Sequence, residues 1–315
     1  MLDPVLFNTF VLLISLLIVF KGADLVVYGI TRYARKLGLS DLLIGLVVVA
    51  LAASMPEIIA ALTGLMLGQE DVLFGTMLGT NLVHLTLVLG VLALIGKKIK
   101  LEAGLLNNRI WVLGAVLLIP FALMLDGNLN RVDGIILVAL YAIYLGWLWN
   151  RETSMHALKK RVLLKTIARD GLIFILSLIA ILLSGRWLVF SSLNLAMLAG
   201  IPAYFISLTM IAFAGALPDF AVGLRSVFRG HQDVGVGDVL GSVTLELLLF
   251  FGLVGLLHPL AVDVPTVLPA MIALAFALGF VLWRVSQKSM TWKHGLVLVG
   301  IYIAFIAFET GKLFN

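Results

Sequence analysis

The sequence predicts an all-α integral membrane protein of about ten transmembrane helices, arranged as two inverted five-helix repeats with broken helices at the membrane midplane. Three observations lead to this fold class: the apolar composition, ten apolar stretches of spanning length, and a sequence pattern that occurs twice. Hydrophobic residues make up 62% of the chain and charged residues 12%, whereas soluble proteins average roughly 45 to 50% and 25%. Together with a mean hydropathy of +1.15, this composition excludes a soluble globular protein.

Ten apolar stretches can each hold a transmembrane helix of about 20 residues. They are residues 5–30, 42–67, 71–95, 110–125, 133–149, 171–193, 203–227, 234–257, 265–284 and 294–311. The connecting segments are short and leave no room for a soluble domain of useful size. We therefore divide the chain into a first repeat at 1–150, a basic cytoplasmic linker at 151–170 and a second repeat at 171–315.

Basic residues alternate between the two sides of the predicted spans. They follow spans one, three and five, end span seven, and lie between spans nine and ten: Arg32, Arg35, Lys36, Lys97, Lys98, Lys100, Arg151, Lys159, Lys160, Arg161, Lys165, Arg169, Arg225, Arg229, Arg284, Lys288 and Lys293. The positive-inside rule places these loops in the cytoplasm and both termini outside the cell membrane. The net charge of +5 thus reflects membrane topology, and the expected partner is the lipid bilayer and not a nucleic acid.

The feature that organises the chain is a proline followed directly by an acid inside an apolar stretch. Pro56-Glu57 lies in span two and Pro218-Asp219 in span seven, with 219 − 57 = 162. The same offset pairs further residues without a gap: Ala50 with Ala212, Gly68 with Gly230, Asp71 with Asp233, Gly75 with Gly237, Gly79 with Gly241 and Gly90 with Gly252. This shared order identifies an internal repeat, and five spans per repeat invert the second copy.

Each proline-acid pair predicts an ion site. A carboxylate at membrane depth costs roughly 2.5 to 3.5 kcal/mol on insertion scales, so Glu57 and Asp219 are expected to face an ion, a proton or water. Proline lacks the backbone N–H and clashes with the preceding turn, so each pair should break its helix and free carbonyl oxygens beside the acid.

Polar residues at four-residue spacing follow the same face of spans three and eight. They are Thr76, Thr80 and His84 in span three, and Asp238, Ser242 and Glu246 in span eight. The repeat makes His84 the counterpart of Glu246, and we assign both to the site. Ser54 is a further oxygen ligand. The role of Asp238 stays open, because it lies near the cytoplasmic end of span eight.

Broken helices in corresponding places of two inverted repeats are typical of the binding site of a secondary transporter. Carboxylates of Glu57, Asp219 and Glu246 would form an oxygen-rich site suited to a hard cation such as Ca²⁺. Because these carboxylates repel one another, Na⁺ or protons should compete for the site, which is the basis of antiport. We expect no catalytic residues and no cofactor. The alternatives are an uncoupled cation channel and a membrane metal-binding protein or enzyme.

These motifs resemble the two repeats of the calcium/cation antiporter superfamily, which includes the sodium/calcium exchangers. The family repeat reads near G-T-S-L-P-E and then G-N-x-x-G-S-N. This chain has Ala52-Ala53-Ser54-Met55-Pro56-Glu57 with Gly75-Thr76-Met77-Leu78-Gly79-Thr80-Asn81, and Ala214-Gly215-Ala216-Leu217-Pro218-Asp219 with Gly237-Asp238-Val239-Leu240-Gly241-Ser242-Val243. The resemblance implies that Glu57 and Asp219 are the central acids. It also implies hydroxyl ligands of flanking monovalent sites at Ser54, Thr80 and Ser242.

The chain departs from the family pattern at several site positions. Ala53, Gly215 and Ala216 replace Thr and Ser; the first two still offer backbone carbonyls, whereas Ala216 loses a side-chain ligand. His84 and Glu246 stand where the family usually has Asn or Asp, and a histidine titrates near neutrality. These departures leave Na⁺ and H⁺ open as counter-ions, and a divalent ion softer than Ca²⁺ open as substrate. We expect a monomeric transport unit in which spans one and six slide across the rest.

Overall fold

The computed structural model describes residues 4–37, 44–54, 70–100, 110–155, 202–230 and 232–313, with scattered residues between 58 and 68 and between 171 and 198. The helices are α1 (Pro4–Leu37), α2 (Ala50–Ala53), α3 (Glu70–Val83), α4 (Leu89–Gly96), α5 (Ile110–Met124), α6 (Arg131–Met155), α7 (Ala203–Ile206), α8 (Ala212–Gly215), α9 (Leu217–Phe228), α10 (Gln232–Thr244), α11 (Phe251–Leu257), α12 (Val264–Ser286) and α13 (Trp292–Leu313). Four π-helical segments are π1 (Ile44–Val49), π2 (His84–Val88), π3 (Ser207–Ile211) and π4 (Leu245–Phe250). The short strands are β1 (Lys98–Lys100), β2 (Asn128–Leu129), β3 (Leu260–Ala261) and β4 (Ser289–Thr291).

Within the described ranges, six helical stretches are long and apolar enough to cross a membrane. They are Glu70–Gly96, Arg131–Asn150, Tyr204–Phe228, Gln232–Leu257, Val264–Ser286 and Trp292–Lys312. Their ends agree within two residues with predicted spans three, five, seven, eight, nine and ten. Shorter apolar stretches, Pro4–Ser15 and Ile110–Met124, fall in predicted spans one and four. Predicted spans two and six are described only in part, so the total of ten remains a prediction.

Two of these spans form the centre of the molecule. In Glu70–Gly96 and Gln232–Leu257, 78% and 83% of the most apolar window is buried, against 22% in Trp292–Lys312. The outer helices instead expose large apolar side chains, such as Ile143 on α6 and Phe276 on α12. An apolar exterior around an enclosed polar interior is the arrangement that a lipid environment requires.

The internal repeat seen in the sequence recurs in the backbone. Helix α2 and helix α8 begin 162 residues apart (212 − 50 = 162), and each has four residues. Segments π1 and π3, and likewise π2 and π4, correspond within one residue at this offset. Gly68 and Gly230, also 162 apart, both have a positive φ of +69° and +74°, a conformation that glycine adopts without strain. The repeat is therefore structural as well as sequential.

Two small antiparallel ladders relate the repeats to each other. Strand β1 pairs with β4, and β2 pairs with β3. At the same offset, β1 corresponds to β3 (260 − 98 = 162) and β2 to β4 (290 − 128 = 162). The 23-residue helix α12 connects β3 to β4 and separates the ladders by about 35 Å. Equivalent segments of the two repeats therefore lie at opposite ends of α12.

Two glycines allow the central spans to approach the broken ones. A Cβ at Gly79 would lie 2.3 Å from the Leu208 carbonyl oxygen, and a Cβ at Gly241 would lie 2.3 Å from that of Leu46. Span three thus packs directly on span seven, and span eight packs on span two. Such backbone proximity is typical of small residues at membrane helix interfaces. The two contacts bring the polar faces of the central spans against the proline-acid segments.

Candidate ion-binding site

In the second repeat, the helix is interrupted at a single residue just before the proline-acid pair. Helix α8 ends at Gly215, Ala216 has φ −69° and ψ −6°, and α9 starts at Leu217 with Pro218 in its first turn. Because Pro218 has no N–H, the Ala214 carbonyl lacks its usual helical donor. The predicted break is confirmed here, but Tyr204–Phe228 still forms one continuous span. The break frees backbone oxygens without separating the span into two helices.

The first repeat has the same construction up to its acid. Helix α2 ends at Ala53, and Ser54 forms the turn with φ −76° and ψ 0°. The Ser54 N–H donates to the Ala50 carbonyl at 3.0 Å, and the Ile58 N–H donates to the Ser54 carbonyl at 3.2 Å. Pro56 and Glu57 lie outside the described residues, so the predicted place of Glu57 in the site is untested.

Asp219 is the most extensively bonded acid of the described site. It sits in the first turn of α9, where the helix dipole favours a negative charge. Its Oδ2 lies 2.8 Å from His84 Nε2, and its Oδ1 accepts a hydrogen bond from Ser242 Oγ at 3.2 Å. All three side chains are fully buried. Asp219 therefore joins the central spans three and eight to the broken span seven.

His84, which the repeat makes the counterpart of Glu246, pairs directly with Asp219. His84 opens segment π2, and Glu246 is the second residue of π4. A π-helical turn changes the direction of the side chains that follow it and is frequent at functional sites. Four-residue periodicity, which assumes a regular α-helix, does not detect such a turn.

Glu246 is held by Asn81, which sequence reasoning did not assign to the site. Asn81 Nδ2 donates to Glu246 Oε2 at 2.9 Å and to the Met77 carbonyl at 2.7 Å. The repeat gave no signal for this residue because its counterpart is the apolar Val243. The position of Asn81 directly after Thr80 was the available clue. The Ser54 hydroxyl also lies near Glu246, so both repeats contribute to the surroundings of this acid.

Several polar atoms around these acids are buried and lack a hydrogen-bond partner within the part of the chain that the structure describes. They are Ser54 Oγ, Thr76 Oγ1, Thr80 Oγ1, Asn81 Oδ1, His84 Nδ1, Glu246 Oε1 and both carboxylate oxygens of Asp238. A buried polar group without a partner costs roughly 1 to 3 kcal/mol. So many in one place indicate a site built to surround an ion or water.

The remaining predicted ligands can act only through their backbones. Ala53 and Gly215 are the last residues of α2 and α8, where helix carbonyls lack intrahelical donors. Ala216, as expected, offers no side-chain oxygen. Among the described residues, no three His, Asp or Glu side chains converge closely enough to hold a metal ion. The predicted meeting of three carboxylates depends on Glu57 and stays a prediction.

The chain matches the family model described as "Sodium/calcium exchanger protein" over residues 7–150 and 171–311. Inner membrane protein YrbG of Escherichia coli is 28% identical over 317 residues, covering 96% of each chain. Sodium/calcium exchanger MaX1 of Methanosarcina acetivorans is 27% identical over 346 residues, covering 95% of this chain and 97% of its own. The solved structure of the sodium-calcium exchanger NCX_Mj, soaked with Na⁺ and Sr²⁺, has a TM-score of 0.82 at 23% identity over 96% of this chain and 99% of that chain.

Proposed function

Because the chain belongs to the sodium/calcium exchanger protein family, we propose that it exchanges Ca²⁺, or a similar divalent cation, for Na⁺ or H⁺ by alternating access. It is a multi-pass membrane protein whose relatives are exchangers and not enzymes. The observation that carries the proposal is the buried cluster of Asp219, Glu246 and His84 among unpartnered oxygen atoms. Such a cluster is costly to maintain in a membrane without an ion to bind.

The depth of the cluster supports a site near the membrane midplane. Thr80 and His84 lie near the middle of the 27-residue span Glu70–Gly96, and Ser242 and Glu246 near the middle of the 26-residue span Gln232–Leu257. At 1.5 Å per residue, each is about 15 to 25 Å from either end of its span. A transported ion at this depth could be exposed to either side by a modest rearrangement of the surrounding helices.

The donor set supports a hard cation. Six side chains in or beside the cluster offer oxygen ligands: Asp219, Glu246, Ser54, Thr80, Ser242 and Asn81 through its Oδ1. The repeat adds Glu57 as the counterpart of Asp219, and the backbones of Ala53 and Gly215 add carbonyls. Ca²⁺ takes 6 to 8 oxygens, so it suits this set. Six side-chain donors, Glu57 and two carbonyls are enough for one such ion with smaller ions beside it.

The His84–Asp219 contact supports competition between a proton and the transported cation. A protonated imidazole at 2.8 Å neutralises Asp219, and a cation that binds Oδ2 has to displace it or share the oxygen. Na⁺ would compete for the same carboxylate oxygens. Either ion can therefore take the place of the divalent cation in the site, as antiport requires.

The topology supports two inverted five-helix halves, 1–150 and 171–315, joined by the linker 151–170. The two strand ladders at opposite ends of α12 are the arrangement that inversion would produce. Asn194 Nδ2 donates to Asn8 Oδ1 at 3.2 Å. This bond links the first span to the residue that directly follows the sixth, and it supports the movement of the two spans as one unit across the rest. We propose that both termini lie outside and that a monomer is the transport unit.

Uptake of ⁴⁵Ca²⁺ into proteoliposomes tests this function. Vesicles loaded with Na⁺ and diluted into Na⁺-free medium should accumulate ⁴⁵Ca²⁺ if Na⁺ is the counter-ion, and vesicles with an acidic interior should do so if H⁺ is. An ionophore that collapses the effective gradient should abolish the accumulation. Uptake that ignores both gradients would indicate a channel. If the vesicles take up neither Ca²⁺ nor Mn²⁺, the transport proposal is contradicted.

A further inference from the structure

Spans one and six form between them an open groove that the exchange site does not use. It has a volume of about 490 Å³ and is lined by α1 between Leu17 and Leu25 and by span six between Ile173 and Ala180. Ligand pockets have volumes of roughly 300 to 1,000 Å³. Among the described residues that line the groove, Lys21 is the one charged side chain. We propose that the groove binds an anionic phospholipid, with the lipid phosphate on Lys21 and an acyl chain along the apolar walls.

Lys21 is the feature that selects an anionic occupant. Its side chain is exposed on an apolar helix and forms no ion pair within the ranges that the structure describes. A lysine at membrane depth is costly unless it meets an opposite charge or reaches the interface. A lipid phosphate supplies that opposite charge from outside the protein. Phosphatidylcholine carries a positive group beside its phosphate, so a lipid with a net negative headgroup should bind more tightly.

The groove lies in the cytoplasmic half of the membrane in the proposed topology. Helix α1 starts at Pro4 on the outer side, and Lys21 lies 21 − 4 = 17 residues further, or about 25 Å along the helix. The hydrocarbon core is about 30 Å thick. Span six begins directly after the basic linker, and Ser177 is only about 9 Å beyond its first residue, Gly171. The cytoplasmic leaflet carries the negative surface potential, and basic pockets between helices on this side are typical sites for anionic headgroups.

The walls of the groove suit an acyl chain. Leu17, Leu25 and Leu176 are exposed along it. The Ser177 side chain is buried, and its hydroxyl already donates to the Ile173 carbonyl at 2.6 Å. Because apolar walls accept any lipid tail, the headgroup on Lys21 determines which lipid is held.

The occupant would contact both spans that are proposed to slide across the rest. A lipid between α1 and span six adds to the bond between Asn8 and Asn194 and keeps the two spans together as they move. This consequence for exchange rests on the proposed function, whereas the binding of the lipid does not.

The test is the stabilisation of the purified full-length protein in detergent by a short-chain lipid. A ligand that binds only the folded state raises the unfolding midpoint. We expect dioctanoyl phosphatidylglycerol to raise the midpoint more than dioctanoyl phosphatidylcholine at equal concentration. Glycerol 3-phosphate, which has no acyl chain, should leave it unchanged. In Lys21→Met, the phosphatidylglycerol concentration for half of the effect should rise about fivefold, the equivalent of about 1 kcal/mol for one basic residue at a charged membrane surface.

Further variants sharpen this test. Ala180→Phe fills the groove without changing its charge and should weaken the response to phosphatidylglycerol, whereas Lys21→Arg should keep it. Asp24 lies three residues beyond Lys21 on α1 and can compete with the lipid for that cation, so Asp24→Asn should respond at a lower lipid concentration. Lys293→Met removes an exposed cation at the start of α13, outside the groove, and should respond like the wild type.

The proposal is overturned if phosphatidylcholine or glycerol 3-phosphate stabilises the wild type as much as phosphatidylglycerol does. It is also overturned if Lys21→Met responds to phosphatidylglycerol like the wild type. If Lys21→Met does not fold, an unchanged response of Ala180→Phe has the same meaning. Because this assay contains no Ca²⁺ and no ion gradient, its outcome is independent of whether coupled Ca²⁺ uptake succeeds.

Discussion

Replacing Asp219 by asparagine is expected to reduce coupled Ca²⁺ uptake by about 100-fold or more. Asparagine keeps the size of the side chain and one oxygen that can accept from Ser242, but it removes the charge that pairs with His84 and that the proposed exchange requires for cation binding. Removing one partner of a buried charge pair costs about 3 to 5 kcal/mol, and each 1.4 kcal/mol corresponds to tenfold. The measurement is initial ⁴⁵Ca²⁺ uptake into proteoliposomes under whichever gradient drives the wild type.

Asp71→Asn is the matched control for this prediction, because the same substitution at an exposed site should leave the uptake rate unchanged. Comparable yield and elution of the two variants on size exclusion would separate a loss of transport from a loss of folding. A well-folded Asp219→Asn protein that transports as fast as Asp71→Asn would show that Asp219 is structural.

Replacing Glu57 by glutamine is expected to reduce coupled Ca²⁺ uptake as much as replacing Asp219 by asparagine does. The repeat makes Glu57 the counterpart of Asp219, to which side chains from two other spans bond. Glutamine is close in shape to glutamate, so a large effect would come from the lost charge. Uptake by Glu57→Gln and by Glu70→Gln should be measured side by side. Glu70 begins α3, away from the cluster, and its variant should retain the wild-type rate.

If Glu57→Gln were as active as Glu70→Gln while Asp219→Asn was inactive, the two central acids would not be equivalent. Transport would then not require the carboxylate of the first proline-acid pair. The prediction therefore tests the part of the site that lies outside the described residues, using a functional readout that does not need its coordinates.

The sequence was sufficient to predict the features that depend on covalent chemistry and on strong periodicity. The missing N–H of Pro218 made a helix interruption after Gly215 foreseeable. The apolar length of the spans determined their ends within two residues. The offset of 162 residues held in the backbone as well, from α2 and α8 to the paired strands.

Features that depend on tertiary geometry were not predictable in the same way. Strands of two or three residues, such as β2 and β3, are too short to show an alternating pattern. The pairing of His84 with Asp219 brings span three against span seven, and spacing along one helix does not predict which other helix its polar face meets. Asn81 became visible as a site residue only through its bond to Glu246 on the other central span. Each of these features depends on which helices and strands pack together, and the alignment of the two repeat sequences does not specify this packing.

Obligatory exchange is the central claim, and efflux from preloaded vesicles tests it most directly. Proteoliposomes loaded with ⁴⁵Ca²⁺ would be diluted into media that contain choline alone, Na⁺, acidic buffer or unlabelled Ca²⁺. We predict slow efflux into choline at neutral pH and fast efflux when a counter-ion is supplied, with Asp219→Asn slow in every medium. Equally fast efflux into choline, abolished by Asp219→Asn, would contradict the exchange mechanism and identify an uncoupled pathway through the same site.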